Sequence, residues 1–189
     1  MRGGLLGGAR GVKRAPLLAP AIPFCDGRGI MSHHLSVKST SQLKAEALEE
    51  VRAVYTDLAA RPVERACIRR TECCQFKLTG QTPVLTKGEA MIAALGLRAA
   101  GRTKLPTPAV PGACPMLDPR GKCIIYSSRP FGCRTHFCEA AGGPYSRREV
   151  LDLIRRLELV DEKLKGVGSL SLPSAMEMAM ADCPTRREG

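Results

Sequence analysis

Seven of the nine cysteines in this chain fall between Cys67 and Cys138, and no other feature limits its fold as much. They run Cys67-x5-Cys73-Cys74, then Cys114-x8-Cys123-x9-Cys133-x4-Cys138. An odd total argues against a closed disulfide framework. The N-terminus is basic, but Gly, Arg and Pro break its apolar runs, so it lacks the continuous apolar core of a secretory signal. A reducing cytoplasm is therefore the expected compartment, where thiols persist. Metal ligation becomes the leading account of so many thiols. The competing account is that they pack as small hydrophobes.

Spacing narrows the metal reading without naming an ion. The neighbours Cys73 and Cys74 point opposite ways in an extended segment, so they suit two partners better than one ion. Zinc ribbons and fingers use paired C-x2-C or C-x4-C knuckles, and only Cys133 to Cys138 has a comparable interval. Ferredoxin-type runs are absent too.

The 189 residues allow one ordinary domain with loosely ordered ends. Aromatics are 4%, Trp is absent, and 14 Pro accompany 19 Gly, so a second stabiliser beside the apolar core is expected. Residues 1–40 have no sustained period and read as a disordered or mis-assigned N-terminal extension, with Met31 an alternative start. Residues 41–182 form the predicted cysteine-cluster domain, and 183–189 a tail.

Within the domain, Leu43, Ala47, Val51, Val54, Tyr55 and Leu58 mark one face of a helix that Pro62 ends. Cys67 to Lys77 reads as a loop or ligand knuckle. Thr86 and Glu89 predict a capping box opening a second helix, with Gly101 as its stop. Residues 101–145 hold four cysteines and half of the prolines, with a weak strand signal at Cys123–Tyr126. Such a segment buries little by itself, so packing alone is not expected to fix it. Ser146 and Glu149 cap a third helix with a stripe of Val150, Leu151, Ile154, Leu157 and Leu164. A Met-rich helix follows, with Ser174 as its cap and Met176, Met178 and Met180 as core filler. The predicted class is mainly α: a small single domain of three to four helices, with irregular cysteine-rich loops gathered around a metal site.

The residues flanking the cysteines carry a resemblance. Cys114-Pro115-x-Leu117, Cys123-x-Ile125-Tyr126 and Arg129-Pro130-x-x-Cys133-Arg134 resemble the signature of the YkgJ-type cysteine-cluster family, a zinc- or iron-chelating domain. Leu85-Thr86-x-x-Glu89 resembles the helix start that follows the family's C-x2-C-x2-C-C element. The likeness spans residues 64–140. It departs at Arg70, which stands where the family has a cysteine, and Cys138 or His136 is the candidate to complete the coordination.

The resemblance implies a protein that chelates iron, as an iron–sulfur cluster, or zinc, through Cys67, Cys73, Cys74, Cys114, Cys123, Cys133 and Cys138. Iron is favoured because seven thiolates exceed what one tetrahedral zinc uses. The alternatives are a redox or catalytic iron–sulfur role, by motif analogy with flagellin lysine N-methylases, and metal delivery. Arg134 is expected either to offset thiolate charge or to lie on the surface, and Tyr126 to pack across its loop. Cys25, Cys183, His33 and His34 are expected to be incidental.

No catalytic residue is predicted. H-E-x-x-H, G-x-S-x-G and a phosphate-binding glycine loop are all missing. A net charge of +11 is not interleaved with stacking aromatics, so nucleic acid is not expected. Nor is a membrane, since no run of about 18 apolar residues exists. The expected partners are a metal ion and an unidentified electron-transfer or other protein.

Overall fold

Ser39 opens the first helix by accepting the Gln42 N–H while the Gln42 side chain accepts the Ser39 N–H. This reciprocal cap satisfies two amides that a helix start otherwise leaves unpaired. A computed structural model describes residues 38–61, 65, 67, 68 and 70–182. In chain order the elements are α1 (Thr40–Ala59), α2 (Phe76–Thr79), β1 (Val84–Leu85), α3 (Lys87–Ala99), α4 (Phe131–Thr135), α5 (Leu151–Lys163), β2 (Leu170–Ser171) and α6 (Leu172–Asp182). Short 3₁₀ turns lie between them at Glu72–Cys74, Tyr126–Ser128, Glu139–Ala141 and Arg147–Val150. The domain is small and mainly helical. No helix among the described residues is long and apolar enough to cross a membrane.

Four helices of real length match the expected number, and α2 and α4 add single turns inside segments read as irregular. The boundary at residue 41 moves back, since Thr40 is already helical. Leu43, assigned to the buried face of α1, is 46% exposed, because burial begins only at Ala47. Pro62, Cys25, Cys183, His33 and His34 lie outside the described residues.

Helix α3 is the wall shared by two apolar clusters. On one side Ile92 joins Val51, Val54, Tyr55 and Leu58 of α1 with Leu153, Leu157 and Val160 of α5. On the other, Ala90, Ala93, Ala94 and Leu97 meet Met176 and Met180 of α6, together with Met116, Leu117 and Ile125. Small residues make this close approach possible. A Cβ at Gly88 would lie 2.8 Å from Val160 and 2.9 Å from Val51. One at Gly96 would lie 2.7 Å from the Ser128 Cβ.

The second cluster corrects an expectation. Residues 113–131 are fixed by packing, because the small-residue face of α3 leaves a trough that Met116, Leu117 and Ile125 fill. Each such burial stabilises by about 1.5–3 kcal/mol. The strand expected at Cys123–Tyr126 is also absent. Only a single antiparallel bridge joins Leu117 to Cys123, and the chain then turns into Tyr126–Ser128.

The stripe on α5 differs from the expected one in two residues. Ser146 and Glu149 do form their capping box, but they open a 3₁₀ turn at Arg147–Val150. Along the α-helix and its C-cap, Leu153, Leu157, Val160 and Leu164 follow the spacing of a single face and are buried. Leu151 and Ile154 lie to the side of that face and are only partly covered.

At the C-terminal end, Val84 and Leu85 pair antiparallel with Ser171 and Leu170, a two-stranded ladder the sequence reading missed. Helix α6 starts at Leu172, so Ser174 lies inside it and is not its cap. Met176 and Met180 are core residues as expected, whereas Met178 is 52% exposed.

Candidate functional site

Three stretches far apart in sequence converge beside α3 and α6. The first is the turn at Glu72–Cys74 and the helix α2 behind it. The Cys74 carbonyl accepts the Cys114 N–H at 2.7 Å, and the Gly112 carbonyl accepts the Lys77 N–H at 3.0 Å. These bonds lay the second stretch against the first. Gly112 has φ +80, and a Cβ there would sit 2.7 Å from the Lys77 Cβ, so the position requires glycine on both counts.

Asp118 then reverses the chain. Its Oδ1 accepts the N–H groups of Arg120 at 2.9 Å and Lys122 at 2.8 Å. The Lys122 amide is the main cause of a carboxyl held below its ordinary range. This Asx-type turn returns Cys123 toward Cys114.

The third stretch is α4, entered through Pro130. Buried Glu89 of α3 accepts the Phe131 N–H on Oε1 at 2.9 Å, and its Oε2 accepts both the backbone N–H and the hydroxyl of Thr86. The predicted capping box is present, and its carboxylate also pins the helix that carries Cys133. Sequence reading found the cap through the Thr86-x-x-Glu89 spacing but not this second attachment.

Together these segments enclose a cavity of about 710 Å³ lined by Cys67, Cys73, Cys74, Cys114, Cys123 and Cys133. All six are free thiols, and His136 lines the same space. Cys138 does not line it; its carbonyl accepts the Ala141 and Gly143 amides at the next turn. Arg70 is exposed and paired with Glu72 at 3.1 Å.

Electrostatics divides the thiols. Burial pushes Cys114 up to about 11 and raises Cys123 and Cys133 as well. Cys73 is lowered to about 6, chiefly through its hydrogen bond with Cys74, with Arg129 adding to the shift. The two sulfurs lie 4.0 Å apart, and the same contact, followed by burial, raises Cys74.

Arg129 is the cation that lowers the proton affinity of Cys73, Cys123 and Cys133. Arg134 is not the surface arginine of one expectation: it turns into the fold, within electrostatic reach of Cys133. Its guanidinium lies 4.1 Å from the centre of the Tyr55 ring and donates to the carbonyls of Arg129 and Ser127. Tyr126 packs under the Arg129 guanidinium at 4.3 Å.

The donors are predominantly thiols, which suit zinc, copper(I) or iron–sulfur chemistry and not magnesium or calcium. Among the described residues no three Cys, His, Asp or Glu side chains already converge closely enough to hold an ion. Holding an ion there would require rotation about side-chain bonds, a change between staggered wells. Compared with protein-family models, curated proteins and solved structures, the chain matches none.

Proposed function

We propose that this protein binds iron, as an iron–sulfur cluster, or zinc, through the cysteines of this cavity. One observation supports the reading above others: six free thiols from three separate stretches line one cavity. Cys73, Cys74, Cys114, Cys123 and Cys133 are the ligand set we assign, with Cys67 or His136 available to replace one of them. Cys138 drops to a supporting place. The YkgJ-type motif belongs to the same proposal, as does a reducing compartment such as the cytoplasm.

An ion bound there would cross-link the 67–79 segment to residues 114–133, which otherwise meet through the Cys74–Cys114 backbone hydrogen bond and the packing of Cys74 and Phe76. As an iron–sulfur cluster it would also exchange electrons. The protein's own residues contribute the rest. Arg129 compensates thiolate charge, Glu89 holds the Cys133 helix in place, and Met116 and Ile125 give the cavity apolar lining.

A second reading, metal delivery, draws on the exposure of Cys67 and Cys73. Accessible thiols permit an incoming acceptor thiol to take the ion by ligand exchange. The redox reading, by analogy with flagellin lysine N-methylases, would need an electron partner or a substrate.

The deciding experiment is metal analysis with a visible spectrum on protein purified without oxygen. Iron with acid-labile sulfide and broad visible absorption supports the cluster. Colourless protein carrying zinc supports the structural form. Well-folded protein without metal overturns the proposal.

A further inference from the structure

The cavity is much larger than an ion needs, and its walls have a chemical bias. At about 710 Å³ it falls in the range that encloses small organic molecules. Among the described residues its lining contains three cations, Arg120, Lys122 and Arg129, and no carboxylate. Four of the lining cysteines as thiolates around a divalent ion would carry two net negative charges, fewer than these cations. Arg120 is already paired with Asp118 at 3.3 Å. Arg129 pairs with no carboxylate among the described residues, and its face rests on Tyr126. A guanidinium stacked in this way keeps its in-plane N–H donors for a planar anion. Phe76, Val84, Ile125 and Leu172 supply an apolar wall to the same space.

We propose that this cavity also receives a small amphipathic organic anion, its charged end on Arg129 and its apolar body against Phe76, Val84 and Ile125. The site goes beyond the metal reading and shares its cavity. A planar carboxylate matches the guanidinium fork, and desolvation by the surrounding apolar side chains strengthens that pairing.

Calorimetric titration of the full-length protein with octanoate, octanamide and inorganic phosphate, at one ionic strength, tests it. Octanoate is expected to bind about tenfold more tightly than octanamide, and phosphate more weakly than octanoate. In Arg129→Gln the preference for octanoate over octanamide collapses, while retained octanamide binding reports an intact cavity. Should that variant fail to fold, Arg129→Lys decides: a narrowed preference supports the site, and an unchanged one overturns it. Equal binding of octanoate and octanamide, no octanoate binding, or phosphate binding as tight as octanoate also overturns it. Metal content is measured on the same samples. Octanoate binding by folded, metal-free protein leaves this site standing and sinks the metal reading; metal-loaded protein that ignores octanoate does the reverse.

Discussion

The Glu89 carboxylate accepts the Phe131 N–H at 2.9 Å, joining the first turn of α3 to the first turn of the helix that presents Cys133. A buried acid is costly unless its oxygens are paired, and this one accepts three hydrogen bonds. Removing it as Glu89→Ala strands the Thr86 and Phe131 amides. The expected loss is about 2–4 kcal/mol of unfolding free energy, together with reduced metal content. Urea denaturation and metal analysis of the same preparation check both. An unchanged denaturation midpoint would sink the pinning role.

The same carboxyl sets a pH dependence. Burial, its largest influence, raises Glu89 above the ordinary value of 4.5. A raised carboxyl means the folded state binds the proton more tightly than the unfolded chain. Its contribution to stability is therefore fullest at low pH and declines as pH rises from 4.5 through the folded value. Glu89→Gln removes that slope. Stability curves of the two proteins across this window should differ in slope, and parallel curves would contradict the assignment.

Cysteine substitutions should divide by position relative to the cavity. Cys73→Ser and Cys133→Ser are expected to lower metal content and solubility together, whereas Cys138→Ser should retain most of the metal. Elemental analysis of the purified variants distinguishes them. If Cys138→Ser loses as much metal as Cys133→Ser, the cavity is not the whole site.

Metal loading should weaken as pH falls. Cys114 is pushed up to about 11 and burial also raises Cys123 and Cys133, so these thiols hold their protons at neutral pH. Binding must displace them, which makes apparent affinity rise about tenfold per pH unit for each proton released. Zinc competition against a chelator of known pH dependence, between about pH 6 and 8, reads this directly. A flat affinity profile would mean that thiols are not the ligands.

Arg134 is expected to be a structural residue. Arg134→Ala removes the stack on Tyr55 and two bonds to backbone carbonyls, a loss of about 2–4 kcal/mol. Arg129→Gln, beside the thiols, should cost much less in stability. Chemical denaturation of the two variants tests the contrast, and equal destabilisation would reject it.

What the sequence made legible was local chemistry. Thr86 with Glu89 and Ser146 with Glu149 announce helix starts through a three-residue spacing, and both caps are present. The cysteine spacing marked out the stretch of chain whose thiols line the cavity. What stayed hidden depended on partners distant in sequence. Nothing near Phe131 indicates that its amide meets Glu89, and nothing in R-P-x-x-C-R says which arginine faces the thiols. Leu153 and Val160 escaped because α5 has apolar residues on adjoining faces, and only its packing against α1 shows which face is covered. Residues 113–131 looked unable to pack because the trough that receives them lies on α3.

The cavity's walls are also ordered in time. Cys67 is made 105 residues before Leu172 (172 − 67), the last residue lining the cavity. At roughly 5–20 residues per second of synthesis, that interval is on the order of 5–20 s. For that time the early thiols of Cys67, Cys73 and Cys74 exist without the α6 wall that completes their surroundings. The nascent chain thus passes through a window in which Cys73, the thiol whose proton affinity is lowered, precedes its enclosure, so an ion held by the finished cavity would be acquired at the end of translation or after it.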